Sequence, residues 1–224
     1  MKTFFALTIL LIGFTHSFAQ HEYAPIQEKE IKYKNFNYKS VRDDKNIDLR
    51  EFAAGKKLVM VVYLAAWCPN WKLEAPVAQR LYDKYKASGF DVIGVGEYAS
   101  VADTKTSLDK LKITFPVVVE SDSSTAKQKT AHYEYRKATG DARGWGTPWN
   151  IFIEPANLEK KGDTLTKKAF IASGELVEAE AEKFIRQKLG LPVEDAKSAT
   201  LNKTIEVCEL EKKKTAFVKP LVKK

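Results

Sequence analysis

The stretch KLVMVVYLAAWCPNWKLEAP, residues 57–76, decides the fold. Its first eight residues, 57–64, are after Lys57 a continuous apolar run, the pattern of a strand buried on both faces. From Pro69 onward, apolar residues recur at Leu73, Val77, Leu81 and Tyr85, a spacing of four that predicts a helix over 69–85. Proline suits the first helical position, so Cys68 becomes the N-cap residue at a strand-to-helix handover. A sulfur placed there faces unpaired N–H groups and the positive end of the helix dipole. Both favour thiolate, the nucleophilic form. An inert core cysteine has no reason to stand at a helix start between Trp67 and Pro69.

The chain around this segment has 224 residues, 44% of them hydrophobic and 11% aromatic, with 37 basic residues against 29 acidic and only 2 cysteines. That composition excludes a disordered, collagenous or disulfide-stapled protein, and no internal repeat suggests a solenoid. Residues 1–19 read as a secretory signal: Lys2 precedes an apolar run over 4–14, and Ser17-Phe18-Ala19 supplies small residues where a signal peptidase cuts. The run is too short for a bilayer, which needs about 20 apolar residues, so no stable membrane insertion is expected after cleavage. The expected location is periplasmic or extracellular. Removing the signal leaves a diffuse net charge of +7. Residues 32–39 interleave lysines with aromatics, as single-strand binders do, but they also fit a half-exposed strand with a lysine-covered wet face, and no nucleic-acid partner is expected.

Elsewhere strands are predicted at 31–38, 90–95, 115–120, 149–154 and 168–172, and helices at 101–111, 124–137 and 178–189, the last closed by Gly190 and Pro192. Residues 46–52 form a turn with a short element, and 140–146 a loop. The layout is α/β, a central mixed β-sheet flanked by helices. The domain is placed at 31–192, with a linker at 20–30, an N-terminal strand extension and a basic C-terminal tail at 193–224.

Trp67-Cys68-Pro69, Glu74 and Pro76, together with Asp48-Leu49-Arg50 ahead of Gly55-Lys56, Phe115-Pro116 and Gly146-Thr147-Pro148 before a strand, resemble the thioredoxin-like superfamily. The resemblance is to its exported thiol-disulfide oxidoreductases of the cytochrome c maturation type, and it covers most of residues 30–190. It implies a thioredoxin-like fold, a cis peptide bond before Pro148 facing Cys68, and a proton-handling role for Glu74. It further implies that Trp67, Pro69, Trp71, Thr147 and Pro148 contact the substrate. The partners implied are a client protein's thiol or disulfide, or a small thiol reductant.

The family motif is C-x-x-C, and here Trp71 stands where the second cysteine belongs. A mixed disulfide needs another thiol for its release. Four outcomes follow: an external thiol resolves the adduct, Cys208 resolves it, the protein is a one-Cys peroxidase, or a binding fold survives without turnover. Cys208 lies in the alternating segment TIEVCEL, residues 204–210, and sequence does not reveal whether it meets Cys68. The peroxidase pattern asks for a proline and a threonine where Val61 and Ala65 stand. His21 and His132 lack metal-ligand spacing, so neither a metal nor a cofactor is expected, and His132 reads as a helix-face residue.

Overall fold

A computed structural model describes residues 21–193. The expected signal at 1–19, the tail from 194 and with it Cys208 lie outside the described residues. Eight strands form one sheet: β1 (Gln27–Lys34), β2 (Asn37–Ser40), β3 (Asn46–Asp48), β4 (Leu58–Leu64), β5 (Phe90–Gly96), β6 (Val117–Val119), β7 (Trp149–Ile153) and β8 (Thr164–Ala172). Their order is β1-β8-β7-β4-β5-β6-β2-β3, with β4, β5 and β6 parallel and the remaining pairs antiparallel. The helices are α1 (Leu49–Ala53), α2 (Pro69–Tyr85), α3 (Val101–Lys110), α4 (Ala131–Ala138) and α5 (Glu178–Leu189).

The central strand β4 is buried along its whole length because both its faces are covered. Leu58, Met60, Val62 and Leu64 enter a core with residues of α2, α3 and α5. Val59, Val61 and Tyr63 point the other way, into a core with α1 and α4. This period-2 division is what a continuous apolar run produces in a central parallel strand.

Four expectations need correction. The buried stripe of α2 is Trp71, Ala75, Ala78, Leu81 and Tyr85, whereas Leu73 is exposed. Leucine alone was a poor guide there, since small alanines let the helix approach the sheet. The linker expected to residue 30 is structured: β1 begins at Gln27, and backbone bonds tie Glu22 and Ala24 to Glu175. The strand expected over 31–38 is two strands in opposite halves of the sheet, β1 at one edge and β2 next to the other edge strand, β3. The helix expected over 124–137 is a short 3-10 turn, Ser124–Lys129, followed by α4, whose N-cap Thr130 accepts a hydrogen bond from the Tyr133 amide.

Candidate active site

Parallel β4 ends at Leu64, and the next turn, closed by a bond from the Cys68 amide to the Ala65 carbonyl (2.9 Å), delivers Cys68 to the N-cap of α2. Pro69 occupies the first helical turn, as the sequence predicts. Antiparallel β7 runs beside β4 with Tyr63 opposite Trp149. The residues just before β7 therefore arrive beside those just after β4. The Thr147–Pro148 peptide bond is cis, and the Cys68 thiol donates a hydrogen bond to the Thr147 carbonyl at 3.2 Å. Cys68 is 6% exposed. Its sulfur makes no capping bond to the helix amides, so the thiol proton is directed across the site instead.

Glu74 is 1% exposed, which rules out a solvated helix charge. Its Oε2 accepts from the Asn150 side chain (3.1 Å) and from the Leu176 amide (2.9 Å), while Oε1 has no partner among the described residues. Burial pushes its pKa up to about 8, against the lowering effect of those two bonds; Glu175 adds to the rise and Arg143 opposes it. Glu74 is thus a buried carboxyl that holds its proton into the neutral range.

Trp71 is 0% exposed and belongs to the α2-side core. It does not reach the substrate side, because position 71 shares a helix face with Ala75 and Ala78. The aromatic surface beside the thiol comes instead from Trp67 and Trp145, 41% and 40% exposed, whose rings meet edge to face at 5.1 Å. Trp67 donates its indole N–H to the Tyr98 carbonyl (3.2 Å), and Tyr98 holds a left-handed φ of 60°. A groove of about 540 Å³ opens there, lined in part by Ala66, Trp67, Lys72, Tyr98, Ser107 and Lys110. Pro69 is exposed at the start of α2, whereas Thr147 and Pro148 are buried.

His132 is buried rather than on an open helix face, with Nδ1 2.9 Å from the Tyr98 hydroxyl and its ring stacked on Tyr63. Burial, assisted by Arg136, holds its pKa well below the usual histidine range. Sequence reasoning missed Asn150, Tyr98, Arg136, Asp141 and Arg143. The opposite charges set among Gly140, Gly144 and Gly146 just before Thr147-Pro148 were the available signal.

A model of the AhpC/TSA family matches residues 30–156. A thiol-disulfide oxidoreductase ResA of Halalkalibacterium halodurans is 25% identical over 118 residues, covering 51% of this chain and 64% of the relative. A ResA of Oceanobacillus iheyensis is 34% identical over 61 residues, covering 27% of this chain and 32% of the relative. The chain therefore covers less than two thirds of the length of these curated relatives. A solved thioredoxin-family thiol:disulfide interchange protein from Chlorobium tepidum aligns with a TM-score of 0.52 at 18% identity, covering 72% of this chain and 97% of its own. That likeness shows the thioredoxin-like fold.

Proposed function

The chain belongs to the AhpC/TSA family, and from that premise we propose that it is an exported thiol-disulfide exchange protein whose active site uses Cys68 as its sole nucleophile. The observation that carries this reading is the Cys68 sulfur at the start of α2, 3.2 Å from the carbonyl that precedes cis-Pro148. The Cys68 thiolate attacks one sulfur of a client disulfide; a Cys68–client disulfide forms, and the other client sulfur leaves as a thiolate that takes up a proton. Thr147 offers backbone groups to the client beside the reacting sulfur. Glu74, protonated below about 8, is the proton store within reach of the β7 end of the site. An external thiolate then attacks the client sulfur of that disulfide, so the client leaves as a mixed disulfide with the external thiol, and the Cys68 sulfur, leaving as a thiolate, is restored. No cofactor enters this exchange. The leader pattern at 1–19 supports export to the periplasm or extracellular space, and no helix among the described residues is long and apolar enough to cross a membrane.

The test mixes reduced protein with a 2-nitro-5-thiobenzoate disulfide, in a Cys208→Ser background so that every reading belongs to Cys68. One equivalent of coloured thiol is expected, none from Cys68→Ser, and a rate well above that of free cysteine. A rate equal to that of free cysteine would sink the assignment. Cleavage after Ala19 is checked by sequencing the N-terminus of the exported protein.

A second reading, a client-binding module without turnover, is favoured by the burial of Trp71, which fills with core packing the position where a second thiol would stand. Client binding retained in Cys68→Ser would establish it.

A further inference from the structure

Ahead of cis-Pro148, the loop is held by two arginines and one aspartate that the exchange chemistry above does not use. Asp141, its side chain 2% exposed, accepts from Arg136 Nε (3.1 Å) and from Arg143 through Nε (3.0 Å) and Nη2 (2.7 Å). The paired guanidiniums then donate to loop carbonyls. Arg136 reaches those of Trp145 (2.9 Å) and Arg143, and Arg143 reaches those of Gly146 (3.2 Å) and Pro148 (3.0 Å). Four carbonyls around Thr147 are thereby engaged on the arginine side. Thr147's own carbonyl is the one directed at the Cys68 thiol. Gly146 is part of the device: its φ is +66°, and a Cβ there would lie 1.8 Å from Arg136 Nε, so the guanidinium packs where a side chain would otherwise be.

Burying the Arg136 guanidinium, and most of Arg143's, costs solvation that a mere surface loop would not require, and an aspartate bonded by Arg136 Nε and by the Arg143 fork returns it with directional geometry. Burial acts to raise the Asp141 carboxyl, and the hydrogen bonds from Arg143 and Arg136 outweigh it, holding the group below its ordinary range. We propose that Arg136, Asp141 and Arg143 are positioning residues that fix the backbone of the Thr147–Pro148 loop for capture of an extended, disulfide-bearing peptide at Cys68. None of them touches the reacting sulfurs. The proposal rests on the exchange reading and adds to it the groups that set the peptide-facing geometry.

Arg143→Lys in full-length Cys208→Ser protein is the discriminating variant, because lysine keeps the charge but cannot supply the planar fork. The probe is a short unstructured peptide bearing one cysteine as its 2-nitro-5-thiobenzoate mixed disulfide, with iodoacetamide as a small reagent that needs no peptide positioning. Capture of the peptide should slow on the order of tenfold while alkylation stays close to the parent rate. Amide hydrogen exchange of residues 143–149 should quicken on the order of tenfold, with β4 and α2 unchanged. Asp141→Asn should reproduce both effects. Peptide capture and alkylation falling together, or a loop whose exchange is unaltered, would overturn the positioning role. Parent protein that captures the peptide no faster than free cysteine does would refute the exchange reading itself, and the role built on it.

Discussion

Trp71→Cys asks whether the rest of the exchange machinery survives around a single nucleophile. The substituted position lies three residues beyond Cys68, in the first turns of α2, where residues three apart are neighbours. Removing a fully buried indole costs about 3–5 kcal/mol in cavity and lost contacts. The Trp71 indole N–H, however, has no hydrogen-bond partner among the described residues, and relieving an unsatisfied buried donor returns about 1–3 kcal/mol. The net loss is therefore about 2 kcal/mol, a fall in Tm of about 4–8 °C for a domain of this size, so the variant should fold. With Cys208→Ser in the background, reduced protein freed of reductant and no external thiol present, the parent should stop at the Cys68–client adduct, with one client thiol released per protein. In the variant the introduced thiol attacks the Cys68–client disulfide, frees the second client thiol and leaves an internal disulfide between itself and Cys68, so two client thiols should be released per protein. A folded, fully reducible variant that still halts at one equivalent would show that the site has diverged beyond its missing cysteine, and the binding reading would take precedence.

Three further outcomes are expected. Because Glu74 is raised from 4.5 to about 8 in the folded chain, the native state holds a proton that the unfolded state releases; its contribution is full below about 4.5 and declines as pH rises to about 8, by up to about 1.4 kcal/mol per pH unit. Glu74→Gln keeps the acceptor for Asn150 and Leu176 and should remove that decline from denaturant-melt stabilities; an unchanged pH slope would refute the buried proton. Gly146→Ala meets both a positive φ and the Arg136 guanidinium, and should cost about 3 kcal/mol, lowering Tm by on the order of 10 °C; a wild-type melt would refute the packing. Asn150→Ala removes donors to both Glu74 and the Gly174 carbonyl and should lower stability by about 1–3 kcal/mol, read in the same melts.

The strand–cysteine–helix unit was legible because its signals are local: an unbroken apolar run, a proline at the helix start and a cysteine between them. α2 and α5 run over the residues that the sequence predicts, since periodicity and the Gly190 stop act within a turn or two. The cis bond at Pro148 was reached through the family resemblance, not through spacing. What escaped depends on long-range partners. The burial of Trp71 followed from alanines that carry no strong periodic signal, and the split of 31–38 into two strands from pairing with β8 on one side of the sheet and with β6 and β3 on the other. Arg136, Asp141 and Arg143 looked like ordinary loop and helix charges, because only the folded chain sets them against the carbonyls they hold.

The four tryptophans of the chain are divided by the fold into two optical classes. Trp71 and Trp149 are sealed in the two cores, whereas Trp67 and Trp145 meet in the open beside the thiol. The buried pair reports on unfolding, and the exposed pair on whatever settles over Cys68. A client that covers the exposed indoles shifts their emission to shorter wavelength, and a disulfide formed at the adjacent sulfur quenches it. The protein thus carries its own label-free fluorescent readout of capture, and Trp67→Phe with Trp145→Phe would silence that signal while leaving the melting signal of the cores in place.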